Sequence, residues 1–188
     1  MRSLLPSHYM ITGKFTDLGD FRYKLEQALQ AGPKVVQLRC KGMADEEYRE
    51  VTRLAETICA HFEMPLLLVT TPDLFTKTKA DGLHLSSDKL DGFKKRPIAE
   101  DKLLSVSCHS QEDLKRADQL GADILLLSPV KPTASHPELA GLGWQGFSEM
   151  TAGLPQATYG LGGMKPEDLD DALAAGARGI AATAGFWS

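Results

Sequence analysis

Cysteine is scarce in this chain: three among 188 residues, at positions 40, 59 and 108. Their odd number, wide separation and lack of C-x-x-C spacing argue against a disulfide framework or a zinc site. They fit a reducing, cytoplasmic setting. Long hydrophobic runs are missing too, since clean apolar stretches such as residues 66–69 fall far short of a membrane span. The opening residues, MRSLLP, hold no hydrophobic signal core, so no secretory leader is expected. There is no basic excess either: 21 Lys plus Arg stand against 25 Asp plus Glu, a formal charge of −4. Nucleic-acid surfaces are normally basic, so that balance argues against one. What remains is a globular chain, 43% apolar and 24% charged. Its length predicts one domain over residues 1–188, able to bury about two thirds of its unfolded surface without a staple.

Short apolar runs alternate with helix-length amphipathic stretches. Strands are predicted at residues 9–12, 35–39, 66–69, 82–85, 103–107, 124–127, 157–161 and 179–182. Residues 20–31 carry Phe21, Leu25, Ala28 and Leu29 at helical spacing, and residues 44–62 carry Tyr48, Val51, Leu54, Ala55, Ile58 and Phe62. Ser110, with Asp113 three residues on, is a carboxylate capping box opening a helix to Leu120. Residues 144–152 and 166–175 read as helices, and residues 72–79 and 88–96 as short helices or loops. Parallel strands need crossovers, which these helices supply. Eight units of about 23 residues predict a compact α/β fold, a (β/α)8 TIM barrel whose last helix is missing. Phe186 and Trp187, with Leu4 and Leu5, would then cover the outside of strands eight and one. Any apolar patch they leave would suit a homodimer or a fused neighbour domain.

In such a barrel, catalytic groups lie where strands end. The second strand ends Gln37-Leu38-Arg39-Cys40-Lys41, and alternation puts Gln37, Arg39 and Lys41 on one face. That face is either a structural network with a carboxylate elsewhere or a seat for an anion, because burying two unpaired cations is costly. Gly162 and Gly163, and Thr183-Ala184-Gly185, follow strands seven and eight, where this fold habitually seats phosphate. A tight turn would need the same glycines. The long loop at 129–143 holds Lys131, Thr133, Ser135 and His136, and is either a capping loop or a functional one. Ser107 is free to face the mouth. His84 and His109 read as structural histidines, and Cys108 as a small buried residue.

Taken in order, several segments resemble the thiamin phosphate synthase and thiazole tautomerase family. They are YMIT at 9–12, VQLRCK at 36–41, ADGLHL at 80–85, VSCHS at 106–110, GAD at 121–123, SPVKPTASH at 128–136, LGG at 161–163 and GARGI at 176–180. The chain is most similar to the synthase-like domain found fused to Nudix hydrolases. The resemblance implies a transferase joining hydroxymethylpyrimidine diphosphate to thiazole phosphate, with Mg²⁺ as cofactor and small phosphorylated thiamin precursors as partners. It implies that Gln37 holds the pyrimidine, and that Arg39, Lys41 and Ser107 meet the diphosphate. Thr133 and Ser135 would border the thiazole phosphate; Gly162, Gly163, Thr183, Ala184 and Gly185 would seat it.

The sequence departs from the synthase pattern at three places. Thr70-Thr71 stand where the pattern has Asn-Asp, Lys89 where it has a second metal-binding Asp, and His136 where it has Lys. Mg²⁺ wants hard, charged oxygen ligands, so these changes predict weak metal binding, with Asp73 and Asp88 as the remaining candidate ligands. Two other readings stand beside the transferase. One is an isomerase on thiazole phosphate using His136 or His109; the other is a non-catalytic barrel that binds a phosphate ligand.

Overall fold

The computed structural model describes residues 5–132 and 141–187. Eight short apolar runs form parallel strands: β1 (His8–Ile11), β2 (Val35–Leu38), β3 (Leu66–Leu68), β4 (Gly82–Leu85), β5 (Leu103–Cys108), β6 (Ile124–Leu127), β7 (Ala157–Leu161) and β8 (Gly179–Ala182). Each pairs with the next, and β8 returns to β1 with Tyr9 opposite Ala181, so the barrel is closed. The crossovers are α1 (Leu18–Gln30), α2 (Asp45–His61), α3 (Pro72–Phe75), α4 (Gln111–Gln119), α5 (Gly143–Thr151) and α6 (Leu169–Ala174). Segment 87–92 is a 3-10 turn, and residues 166–168 lead into α6 as another.

Two apolar layers follow from strand alternation. Tyr9, Val35, Leu67, Leu103, Ile124, Leu126 and Tyr159 fill the barrel interior. The rings of Tyr9 and Tyr159 meet edge-on at 5.4 Å. Outward residues such as Met10, Leu38, Leu68 and Val106 pack under the helices with Phe21, Leu25, Val51 and Leu114. The lower rim is tied by carboxylates. Asp123 accepts from Arg96 at 2.7 Å and from the amide of Leu104 at 2.8 Å, and Asp81 accepts from the amide of Leu66 at 2.9 Å. Arg96, which the sequence groups with Lys94 and Lys95, thus turns inward as a strut. Gly179 is required where β8 begins, because a Cβ there would stand 1.8 Å from the carbonyl oxygen of Ser7.

No helix follows β8 among the described residues. Trp187 occupies its place, buried beside Phe21 with ring centroids 5.5 Å apart, and its Nε1 donates to the carbonyl of Lys14 at 2.9 Å. Phe186 sits edge-on to His8 at 5.1 Å, and Leu5 is buried in the interior cluster. The expected cover from Leu4 lies outside the described residues, as do Thr133, Ser135 and His136.

Some boundaries move. β2 stops at Leu38, one residue before the sequence suggests, while β5 runs on to Cys108. The segment from 88 closes as a single 3-10 element because only Leu90 of it is buried, which leaves too little apolar face for a longer helix.

Candidate functional site

A cavity of about 560 Å³ opens at the C-terminal ends of the strands. Of the residues expected there, Gln37, Arg39, Ser107, Gly162, Gly163, Thr183 and Ala184 line it. Lys41, Gly185, Asp73 and Asp88 do not. Gly185 lies just behind, where an added Cβ would come within 3.1 Å of the carbonyl oxygen of Met164. Lys41 is exposed in the turn after β2: the strand has ended, so alternation no longer fixes where it points. Arg39 is exposed as well. The two cations are therefore solvated, and the cost of burying two unpaired cations does not arise. Their charges add a positive field at a concave rim, where low-dielectric walls focus it.

Arg39 is held by its backbone. Its amide donates to Thr12 Oγ1 at 2.9 Å, and Thr12 is buried at the end of β1. The floor of the cavity is polar and internally bonded. Tyr9 OH donates to Gln37 Oε1 at 2.7 Å and lies 3.2 Å from Ser105 Oγ. His84 Nδ1 is 2.9 Å from the same Ser105 Oγ, and Nε2 is 3.0 Å from Ser107 Oγ. Burial, with the Arg39 charge second, pushes the His84 pKa down to about 3, so the ring is neutral. The structural reading of His84 is therefore half of its role, because the ring also lines the cavity. His109 Nδ1 lies 3.0 Å from the Ser128 carbonyl oxygen and 3.2 Å from Ser128 Oγ, which fixes the ring on the cavity wall. Burial pushes the Cys108 thiol up to about 12, with Asp113 adding to it, as suits an inert core residue.

The opposite wall is backbone. Gly162 and Gly163 both have positive φ, 101° and 65°. A Cβ on Gly163 would come within 2.9 Å of the Pro132 carbonyl oxygen. The loop after β6 is pinned against this turn: Val130 N donates to the Leu161 carbonyl at 2.9 Å, and Lys131 Nζ pairs with Asp168 at 2.6 Å. Among the described residues, the backbone N–H groups of Gly163, Thr183 and Ala184 have no partner. Free amides in a concave turn are an anion seat.

The described residues do not fit Mg²⁺. Among them, no Asp or Glu lines the cavity. Thr71 Oγ1 is used to cap α3 by accepting from the Leu74 amide at 3.3 Å. Asp88 is exposed and takes the Ser86 hydroxyl, and Asp73 is exposed on α3. Among the described residues, no three His, Cys, Asp or Glu converge on a metal position. A hard divalent cation needs charged oxygens, and this wall offers a guanidinium and amides instead.

Tyr9, Thr12 and Ser105 complete the site and were not singled out from sequence. Tyr9 and Ser105 do carry a readable signal, a polar group at an inward position of a barrel strand. A larger concavity of about 1010 Å³ lies at the other end of the barrel, between α2 and the starts of β3 and β4. Two of its carboxylates are occupied by backbone: Glu56 accepts from the Lys79 amide and Asp81 from that of Leu66.

The sequence matches the family described as thiamine monophosphate synthase over residues 8–186. It is 30% identical over 187 residues to a thiamine-phosphate synthase of Bacillus licheniformis, covering 96% of this chain and 82% of the relative. It is also 30% identical over 177 residues to one of Desulfitobacterium hafniense, covering 93% and 86%. Among solved structures it is similar to thiamine phosphate pyrophosphorylase from Pyrococcus furiosus, with a TM-score of 0.76 at 21% identity, covering 95% and 85% of the two chains. That structural likeness carries the fold.

Proposed function

The chain belongs to the thiamine monophosphate synthase family, and from that premise we propose that it is a transferase joining hydroxymethylpyrimidine diphosphate to thiazole phosphate at the barrel mouth. The pyrimidine methylene carbon loses its bond to the diphosphate oxygen, which leaves with the electron pair as pyrophosphate. The thiazole ring nitrogen then forms the new bond to that carbon. Gln37 orients the pyrimidine. Arg39 meets the charge that grows on the leaving group, which is where preorganised positive groups lower a barrier most, and Lys41 adds its charge from the exposed turn after β2 without lining the cavity. The amides of Gly163, Thr183 and Ala184 take the phosphate of the second substrate, with Gly162 and Gly185 shaping the turns.

The observation that carries the reading is one cavity joining a carboxamide, a guanidinium and unpartnered amides, with no carboxylate among its described lining residues. Such a set of donors attracts anions. The test is to supply both precursors to the purified protein and follow thiamin phosphate. A second reading, an isomerase of thiazole phosphate, is favoured by His109, an imidazole on the cavity wall held through Nδ1 by Ser128, the kind of group that a proton transfer without a metal needs. Rearranged thiazole phosphate with no coupled product would select it.

A further inference from the structure

Tyr9, Gln37, Ser105, His84 and Ser107 form one hydrogen-bonded chain from the barrel interior to the cavity wall. A chain of hydroxyls and one imidazole can run in only two directions, because each hydroxyl has a single proton. The Tyr9–Gln37 contact sets which. Its length of 2.7 Å is that of an O–H···O bond, shorter than the usual N–H···O spacing of about 2.9–3.0 Å. The Tyr9 proton is therefore spent on Gln37 Oε1. Ser105 Oγ, 3.2 Å away, must then donate to the Tyr9 oxygen. With its proton used, Ser105 accepts from His84 Nδ1–H. The ring is buried and lies under the Arg39 charge, so it carries one proton only, and Nε2 is bare. Ser107 then gives its proton to His84 Nε2.

We infer that His84 is a positioning residue, fixed as the Nδ1–H tautomer, which turns the Ser107 hydroxyl inward so that Ser107 faces the cavity as a hydrogen-bond acceptor. A ligand atom bound there must be an N–H or O–H donor. Phosphate oxygens, which only accept when ionised, are excluded from Ser107 and belong to Arg39 and the free amides. This departs from the role that resemblance gives Ser107, contact with a diphosphate. At the other end, Gln37 Nε2 makes no hydrogen bond among the described residues and stays a donor on the same wall. The cavity thus presents a donor at Gln37 and an acceptor at Ser107, complementary to a neutral heteroaromatic group with both functions.

The inference rests on the cavity being the ligand site argued above, and its test separates the two. In uniformly ¹⁵N-labelled protein, the ring nitrogens of His84, assigned with His84→Gln, should show a protonated Nδ1 and a bare Nε2. A protonated Nε2 or a doubly protonated ring would overturn the inference, because Ser107 would then be free to donate to an anion. In parallel, inorganic phosphate is titrated calorimetrically into the unaltered protein and Ser107→Ala. Equal affinity supports the inference. A loss of about tenfold or more, the size of a hydrogen bond to a charged group, overturns it. If phosphate fails to bind the unaltered protein, the phosphate reading of the cavity fails, and the tautomer alone decides.

Discussion

Thr12 Oγ1 accepts the backbone N–H of Arg39 at 2.9 Å, so the end of β1 fixes the first residue beyond β2. The guanidinium projects from a backbone anchored in the core, while its own charge stays in solvent. The two substitutions should therefore separate. Arg39→Ala should weaken binding of a phosphorylated ligand by about 1.5–3 kcal/mol and leave stability nearly unchanged. Thr12→Val strands a backbone donor and should cost about 1–3 kcal/mol of stability. Calorimetry and urea unfolding on both variants measure the split; unchanged ligand affinity in Arg39→Ala would remove that side chain from the site.

His84 gives the fold a pH dependence whose sign is fixed. Its pKa is about 3 in the folded chain against an ordinary 6.5. Below 6.5 the unfolded chain binds a proton that the native state refuses. Stability should be flat above 6.5 and fall as pH drops toward 3, by up to about 1.4 kcal/mol per pH unit from this one group. Urea unfolding at several pH values should show that slope in the unaltered protein and its loss in His84→Gln. Equal slopes in both would mean the ring titrates normally.

Trp187 stands in for a helix. Its ring is buried beside Phe21 and its Nε1 is bonded to the Lys14 carbonyl. Trp187→Ala should destabilise the barrel by about 3–5 kcal/mol, the scale of a large core aromatic. An unchanged melting temperature would show that the residues after β8 are not part of the wall.

The barrel was legible because eight apolar runs, each bounded by turn residues or polar helices, leave little choice but parallel strands with crossovers. That Gly162, Gly163, Thr183 and Ala184 line the cavity was legible from position, since they follow the last two strands. Lys41 was misjudged in placement because strand alternation was carried past Leu38, where the backbone had already turned. The network on the cavity floor was out of reach for another reason. Tyr9 and Ser105 are 96 residues apart, and only the closed register brings their oxygens together. No local pattern records such a pairing.

Mg²⁺ should bind this protein weakly. Among the described residues the cavity lining has no carboxylate, and Thr71 and Lys89 stand where the family resemblance leads one to expect acids. Titration without substrate should give a dissociation constant in the millimolar range or no saturation. The triple change Thr70→Asn, Thr71→Asp and Lys89→Asp should tighten it, because it restores charged oxygen donors. A tight, stoichiometric site in the unaltered protein would contradict the description of this wall.

The central claim is that the cavity couples two phosphorylated thiamin precursors. It is tested most directly by incubating purified protein with hydroxymethylpyrimidine diphosphate and thiazole phosphate, and following phosphorus by NMR. The account predicts matched growth of thiamin phosphate and pyrophosphate, lost in Arg39→Ala. Hydrolysis without coupling, or no change in either substrate, would contradict it.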